Sequence, residues 1–482
     1  MQKKFITNLA LLLFLNFLIK PFWIFGIDRT VQVEMVSAEE YGVYFALFNF
    51  SMLFNILLDF GITNFNNKNI AQHKQLLTKY LSGIVVFKFL LAVAYFIVTF
   101  IAGYIIGYDS DRFYMLLFLS VNQFLISFIQ YLRSNIAGLQ LFALDSLLSV
   151  LDKTLMIGFC AVLIWGNVFE AQFKLMHFVY AQTLAYAITL LIVFVVVLSK
   201  SEQFKFKFNK PFSILILKQT YPYALLVLTM MFYYRIDAIM LDMMLDDGAK
   251  QAAIYAQAYR LMDAASQIGV LFATLLLPMF TNMIKNKERL DELVKLSFGL
   301  IFLPAIALAI FSFTFSNEIV ELLCKANIDE SANVLSVLMF CFVAIASTYI
   351  FGTLLTANGN LKILNKLAIG GMLLNLTLNF VLIPIYKAEG SAIASLVTQG
   401  LIVVLQIIIV RKVFDFKINY RFIGTIGLYV LLLITLVYVV ENYITGFFIQ
   451  FILFLFISLG LGLLLRVIDL KKMFQILMNK EL

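Results

Sequence analysis

Five fully charged side chains lie within two long apolar segments near the middle of the chain. The segments run from Tyr221 to Met244 and from Ala252 to Phe280, and a short acidic turn joins them. Each charge would cost several kcal/mol if it faced hydrocarbon, so these side chains must face protein or water. Charges at that depth are candidates for a polar pathway. They are Arg235, Asp237, Asp242, Arg260 and Asp263.

The spacing of these charges limits how they can pair. Arg235 and Asp237 are offset by two positions, which places them on nearly opposite sides of a helix, whereas Arg260 and Asp263 share a face and can pair. Both arginines lie about nine residues from the acidic turn, hence about 13 Å deep at the rise of a helix. Equal depth allows Asp237 to pair with Arg260 across the two helices. In the alternative interpretation the arginines bind a substrate phosphate, and Asp237, Asp242 or Asp263 holds a cation or a proton.

Four more cations lie deep in predicted helices of the N-terminal half. Together with the two arginines they could line a cavity whose positive potential attracts an anion such as a phosphate. For Lys20 and Arg133, local neutralisation or snorkelling toward water is favoured. For Lys153 neither interpretation is favoured. Asp152 is adjacent in sequence and could neutralise it, but successive residues on a helix point about 100° apart and do not face each other. The four cations are Lys20, Lys88, Arg133 and Lys153.

Four polar residues also have two interpretations. Asp59 lies near the end of the second predicted helix, where binding the backbone of a neighbouring loop is favoured over binding a passing cation. Asn375 and Asn379 are one turn apart on the eleventh predicted helix, and Gln399 lies on the twelfth. Such side chains often join helices through hydrogen bonds. Contact with the hydroxyls of a sugar is the alternative.

The composition excludes a soluble globular protein. Of 482 residues, 62% are hydrophobic and 13% are charged, and the mean hydropathy is +0.96. The net charge of +8 is spread over short loops, which indicates membrane topology rather than nucleic-acid binding. The three cysteines are isolated in the sequence, so neither a disulfide framework nor a C-x-x-C metal site is predicted.

A window of about 20 apolar residues spans the hydrocarbon core of a bilayer and yields about fourteen candidate helices. Every connection is short, so no separate soluble domain is expected. About 24 of the 36 Lys and Arg residues fall on the side of the N-terminus, which predicts that both termini are cytoplasmic. The candidate spans are roughly 5–26, 41–65, 80–106, 113–138, 143–165, 174–199, 219–244, 252–281, 294–315, 332–357, 361–386, 388–411, 420–440 and 445–466.

A weak internal repeat divides the spans into two sets. Glu40–Tyr44 enters the second helix much as Gln251–Tyr255 enters the eighth, at the same place in a six-helix unit. We therefore predict an all-α membrane protein with two six-helix lobes related by a pseudo-two-fold, plus two C-terminal helices. The predicted boundaries are 1–200 for the N-lobe, 201–218 for a cytoplasmic linker, 219–412 for the C-lobe, and 413–482 for the accessory helices and a cytoplasmic tail.

Several stretches resemble a known family. Ala38–Tyr44, Leu58–Gly61, Tyr234–Leu241 and Gly390–Ser395 are similar to the corresponding stretches of polysaccharide flippases of the Wzx type, in the multidrug/oligosaccharidyl-lipid/polysaccharide (MOP) exporter superfamily. The resemblance implies two lobes around a central cavity. It also implies that Arg235 and Asp237, which match the seventh-helix motif, lie in that cavity, whereas Arg260 has no firm match.

The resemblance further implies a function. The substrate would be an undecaprenyl-pyrophosphate-linked oligosaccharide, a repeat unit of O-antigen, capsule or exopolysaccharide, which moves from the inner to the outer leaflet of the bacterial cytoplasmic membrane by alternating access. A glycan polymerase and its chain-length machinery would be partners. A sodium or proton gradient acting through an intramembrane aspartate, or downhill flux drawn by later polymerisation, would drive the step.

Three alternatives remain open at this point. A lipid II flippase of the same superfamily differs only in its substrate. A drug/cation antiporter would have an acidic cavity, which the surplus of deep cations disfavours. A membrane glycan polymerase would be expected to have larger outer loops. The sequence contains neither G-x-x-x-x-G-K-[ST] nor H-E-x-x-H, so we expect a transporter without cofactor, metal or catalytic centre rather than an enzyme.

Overall fold

The computed structural model describes residues 14–16, 18–63, 66–67, 70, 75–139, 141–166, 173–201, 210–465 and 467. This part of the chain is almost entirely helical and contains no strand, which confirms the predicted all-α class. The start of the first predicted span, most of the predicted linker and the tail after 467 lie outside the described residues.

The chain divides into two compact units, Met1–Ala253 and Ile254–Leu482. The first contains two π-helical segments, Phe22–Asp28 and Val31–Met35. Its α-helices are α1 (Ala38–Leu53), α2 (Leu76–Ile106), α3 (Ser110–Gly138), α4 (Phe142–Trp165), α5 (Leu175–Leu198) and α6 (Lys210–Met244). α7 (Gly248–Asn286) begins in the first unit and ends in the second. The second unit continues with α8 (Asp291–Thr314), α9 (Ser316–Leu323), α10 (Ile328–Ala357), α11 (Leu361–Phe414), α12 (Tyr420–Tyr443) and α13 (Phe447–Leu464). The predicted lobe boundaries come from the repeat rather than from compactness, and they stay a prediction.

Ten helices in the described part of the chain are long and apolar enough to cross a membrane. One of them, α11, has 54 residues and bends at Lys387, where φ is 52° and ψ is −130°. The chain reverses at this bend. The hydrogen bond from the Ser391 hydroxyl to Asn379 Oδ1, at 2.8 Å, shows that the two arms lie side by side. α11 therefore contains the eleventh and twelfth predicted spans, and the predicted turn between them is confirmed.

The sequence predicts one continuous helix over 41–65 for the second span. The structure differs, because this stretch is broken. α1 ends at Leu53, a 3₁₀ turn covers Asn55–Leu58, and the next turn contains two positive φ angles, 46° at Phe60 and 81° at Gly61. The cause is local, because the Asp59 carboxylate accepts hydrogen bonds from the backbone N–H and the hydroxyl of Thr63. Gly61 adopts the left-handed conformation without steric cost.

The first predicted span also ends later than expected. It was predicted to stop near 26, but π-helical winding continues to Met35. Pro21 has no backbone N–H to donate, and the first π-helix begins at the next residue. Asp28 and Arg29 therefore lie within a helix rather than in an outer loop.

Small residues set the closest helix contacts. In the first unit, Gly42 of α1 lies against the start of α7, and a Cβ atom at this position would be 1.8 Å from the carbonyl oxygen of Ala249. Only a glycine permits this approach.

Large apolar side chains form the core of the second unit. Phe311, Leu433 and Phe454 are buried together, so that α12 and α13 pack against α8.

Candidate functional site

Lys88 is one of the most deeply buried side chains of the first unit, with 1% of its surface exposed. Its Nζ donates to Asp59 Oδ1 at 2.9 Å and to the Ser127 hydroxyl at 3.0 Å, and it lies 5.6 Å from the centroid of the Tyr131 ring. The break after α1 positions Asp59 for this contact. Lys88 thus has a local countercharge, and a phosphate would have to compete with Asp59 for it.

Lys153 lies in a cluster of aromatic and acidic side chains, the Lys153 cluster (Trp23, Asp28, Tyr41, Asp152, Lys153 and Tyr186). Its Nζ donates to the Tyr186 hydroxyl at 3.0 Å and lies 5.2 Å from the centroid of the Trp23 ring. Asp152 approaches to 3.8 Å, a looser contact than a direct hydrogen bond. Tyr41 donates to both carboxylate oxygens of Asp28, at 3.0 and 3.1 Å, and Asp28 attracts the Lys153 ammonium electrostatically. Lys153 therefore lies among aromatic rings and near carboxylates, and Asp152 is its closest countercharge.

Arg235 is half-buried on α6, and its Nη1 donates to Asn49 Oδ1 at 3.3 Å. The other end of the Asn49 amide donates to the carbonyl oxygen of Phe45 at 2.8 Å, which orients the amide oxygen toward Arg235. This contact helps to position the guanidinium group on α6.

Two other arginines make ion pairs that join helix ends. Arg133 Nε donates to Asp145 Oδ1 at 2.9 Å and links α3 to α4. Arg112, at the start of α3, donates to both carboxylate oxygens of Asp242, at the end of α6, through the two terminal nitrogens of its guanidinium group. Only 1% of the Asp242 side chain is exposed. Asp242 is therefore paired with a cation, and a coupling ion or a proton would have to compete with Arg112 for its carboxylate.

The remaining charged candidates differ in burial. Asp237 and Arg260 are buried, and Lys20 and Asp263 are half-buried. The predicted pairs of Arg260 with Asp237 and with Asp263 stay predictions. The same holds for the role of each charged candidate in binding substrate or coupling ion.

The polar candidates of the second unit join the two arms of α11. Asn379 Nδ2 donates to Asn375 Oδ1 at 3.1 Å, and Asn379 in turn accepts from Ser391. Asn375 and Gln399 are almost fully buried, and in each of them one polar atom, Asn375 Nδ2 and Gln399 Oε1, has no hydrogen-bond partner in the described part of the protein. In this arrangement they contact protein, and their role as glycan contacts stays a prediction.

Sequence reasoning missed three residues of these contacts: Asp28, Asn49 and Arg112. Asp28 was placed in a loop because the first helix was predicted to end before it. Asn49 carries no charge and gave no signal. Arg112 lies 130 positions from its partner, so no spacing rule could connect them. Within the described ranges, no group of three or more His, Cys, Asp or Glu side chains is arranged to hold a metal ion.

Comparison with solved structures shows which fold the helices form. The chain is similar to the lipid II flippase MurJ in an inward closed conformation, with a TM-score of 0.74 and 14% identity over 96% of this chain and 100% of that one. It is also similar to an outward-facing multidrug resistance MATE transporter of the MOP superfamily, with a TM-score of 0.62 and 14% identity over 86% of this chain and 96% of that one. A MOP superfamily transporter from Pyrococcus furiosus matches with a TM-score of 0.61, 14% identity and the same two coverages. At this identity the likeness establishes the fold alone, which this chain shares with these multi-pass membrane proteins.

Sequence comparison identifies the family. Comparison with curated proteins gave no match. A family described as polysaccharide biosynthesis protein matches residues 8–284, which is more than half of the chain. This match confirms the resemblance inferred from the sequence motifs, and the chain therefore belongs to the polysaccharide biosynthesis protein family.

Proposed function

We propose that this protein moves an undecaprenyl-pyrophosphate-linked oligosaccharide from the inner to the outer leaflet of a bacterial cytoplasmic membrane. One observation carries the proposal: the family match spans residues 8–284, and this range contains all six candidate cations. They are Lys20, Lys88, Arg133, Lys153, Arg235 and Arg260.

Physical chemistry explains why such a substrate needs buried cations. A pyrophosphate and its sugars cannot enter hydrocarbon unaided, because removing their water costs too much free energy. Positive side chains in a polar cavity replace that hydration, while the polyprenyl tail remains in lipid. Rocking of two repeats then exposes the cavity to the other side of the membrane.

The cations of the first unit differ in their hydrogen-bond partners, and we use this difference to order them as candidate phosphate contacts. Lys88 and Arg133 each donate to a carboxylate at 2.9 Å, so they are weaker candidates for a phosphate contact. Arg235 donates to the neutral amide of Asn49 and is half-buried on α6. We assign Arg235 and Arg260, which lie at equal predicted depth, as the principal pyrophosphate contacts.

The same ranking applies to the aspartates proposed to couple transport to sodium or protons. Asp59 and Asp242 are held by Lys88 and Arg112, so they are weaker candidates, and Asp237 and Asp263 stay in the set. Asp28 is added to this set, because it lies within a helix and its carboxylate accepts a hydrogen bond from the Tyr41 hydroxyl. Downhill flux drawn by polymerisation remains the alternative to ion coupling.

Replacing Arg235 and Arg260 by glutamine tests the site. Export of the surface glycan should fall more than about tenfold, since each lost hydrogen bond to a charged group costs about 1.5–3 kcal/mol. The readouts are surface glycan and the amount of protein in the membrane. The control is Arg289→Gln with Arg421→Gln, which removes two exposed charges and should leave export unchanged. Normal export in the first variant, or its loss from the membrane, would contradict the assignment.

A second experiment separates the proposed substrate from lipid II, which is raised as an alternative by the likeness to MurJ over nearly the whole chain. Cells without this protein should accumulate a lipid-linked surface-glycan repeat unit on the inner leaflet, and their lipid II level should not change. Accumulation of lipid II instead would favour the alternative. Mass spectrometry of extracted polyprenyl-linked glycans distinguishes the two.

A further inference from the structure

A cleft of about 620 Å³ opens at one end of the second unit, where α8 begins, α11 ends and α12 begins. By the distribution of Lys and Arg, this end is predicted to face the cytoplasm. The cleft belongs wholly to the second unit and contains none of the residues assigned to the transport site.

Three cations line the cleft, and each comes from a different element: Lys295 from α8, Arg411 from the last turn of α11, and Lys417 from the connection to α12. In the described part of the protein none of the three side chains has an ion pair or a hydrogen bond. Two carboxylates also line the cleft, but Arg289 holds Asp291 at 3.1 Å, and Glu292 has an interaction of its own. The three cations therefore leave an uncompensated positive charge.

The walls of the cleft are largely apolar and aromatic. Lys295 Nζ lies 4.9 Å from the centroid of the Phe422 ring. Phe298, Phe351 and Phe416 line the same cleft. Ile407 on α11 and Ile423 on α12 also line it and are exposed, so the apolar wall continues to the outer surface of these helices. Cationic and apolar surfaces are thus combined in one cavity.

A simpler explanation covers only part of this arrangement. A cation in the last turn of a helix, such as Arg411, stabilises the helix end, and lysines near a membrane surface snorkel toward water. Neither effect requires cations from three elements to line one cavity. An amphipathic anion, with a phosphate for the cations and a hydrocarbon chain for the walls, matches all of these features.

We propose that this cleft binds the headgroup of an anionic phospholipid, with the acyl chains lying against Ile407 and Ile423. Basic pockets between transmembrane helices recognise lipid headgroups in this way. The bound lipid would join the end of α11 to the accessory helix α12, a connection that in the protein alone is made by a short segment after Phe414. This site is independent of the transport substrate.

The full chain, purified in a neutral detergent, provides the test. Phosphatidylglycerol, phosphatidylcholine, undecaprenyl phosphate and inorganic phosphate are titrated separately, and binding is measured by native mass spectrometry and by the shift in unfolding temperature. Phosphatidylglycerol should bind with saturation and raise the unfolding temperature. Phosphatidylcholine and inorganic phosphate should do neither.

Two variants locate the bound lipid. Arg411→Gln with Lys417→Gln should weaken phosphatidylglycerol binding roughly 25-fold, about fivefold for each charge. Lys412→Gln with Arg421→Gln removes the same charge from exposed neighbours that do not line the cleft, and should bind as the wild type does.

Four results would overturn the proposal. The first is equal loss of binding in both variants, which would indicate general surface charge, and the second is equal binding of phosphatidylcholine. The third is stabilisation by inorganic phosphate alone. The fourth is binding of undecaprenyl phosphate without phosphatidylglycerol, which would assign the cleft to the substrate. The wild-type titrations decide between the lipids even if a variant fails to fold.

Discussion

At the scale of single residues, the deep cations differ mainly in their partners. Lys88 is 1% exposed and is held by Asp59, which is 23% exposed, whereas in the pair of Arg133 with Asp145 both side chains are partly exposed, 23% and 18%. A buried ion pair adds little net stability, but removing one partner leaves an uncompensated charge that is costly. When both partners are partly exposed, water screens the charges and the loss is smaller. The two pairs should therefore respond differently to the same substitution.

Asp59→Asn tests this difference. The variant leaves the Lys88 ammonium buried without a countercharge, so the protein should lose about 3–5 kcal/mol of stability. Asp145→Asn, the matched control, should cost no more than about 1 kcal/mol. Unfolding temperatures of the purified proteins provide the measurement. Replacing Lys88 by methionine in the Asp59→Asn background should restore most of the loss, and equal effects of the two single variants would show that Lys88 is hydrated.

The sequence could indicate which residues are deep but not which residues they bind. Depth follows from position within an apolar segment, and so Lys88, Arg235 and Arg260 were identified. Pairing depends on how distant segments pack. Arg112 meets Asp242 across 130 positions, and neither helical periodicity nor charge spacing carries that information.

At the scale of elements, the ends of α1 show what a hydropathy pattern omits. The apolar run through residues 41–65 predicted one helix, but the chain leaves the helical conformation after Leu53. The Asp59 side chain competes for local backbone groups, and Gly61 adopts a positive φ. A window average counts one aspartate as a small loss of hydropathy and cannot register its hydrogen bonds. That local break places Asp59 beside Lys88.

The other end of α1 provides a second prediction. A Cβ at Gly42 would lie 1.8 Å from the Ala249 carbonyl oxygen, so Gly42→Ala must push α1 away from the start of α7. We expect a loss of roughly 1–3 kcal/mol, the usual range for overpacking. Gly158→Ala on α4 is the control, because no atom lies within 4 Å of its added Cβ. The control should be neutral or stabilising. Equal unfolding temperatures for the two variants would show that the helices separate without cost.

At the scale of the whole molecule, the sequence determined the class, the approximate positions of the spans and the family. Hydropathy and span length are sums over many residues, so single errors average out. The division into compact units at Ala253 could not be obtained in this way. It depends on contacts of α1 with α6 and the start of α7, whereas the predicted boundaries followed the sequence repeat.

The direction of insertion is a prediction that labelling can check. Asp111 and Arg289 are separated by five helices, α3 to α7, so the two sites should face opposite sides of the membrane. Asp111→Cys should react with a membrane-impermeant maleimide in intact cells, and Arg289→Cys only after the membrane is opened. The native Cys160, Cys324 and Cys341 are buried, so the unmodified protein is the control and should give little signal. Labelling of both sites from one side would contradict the count of spans between them.

The bend at Lys387 has a consequence for how the chain tolerates change. A single residue reverses the direction of α11, and Gly390 lies so close to Leu382 that a Cβ there would be 2.4 Å from its carbonyl oxygen. Inserting one residue would turn the second arm by about 100° about its axis, which would move part of its lipid-exposed face toward the protein and part of its buried face toward lipid. Insertions and deletions should therefore be excluded from this turn during evolution.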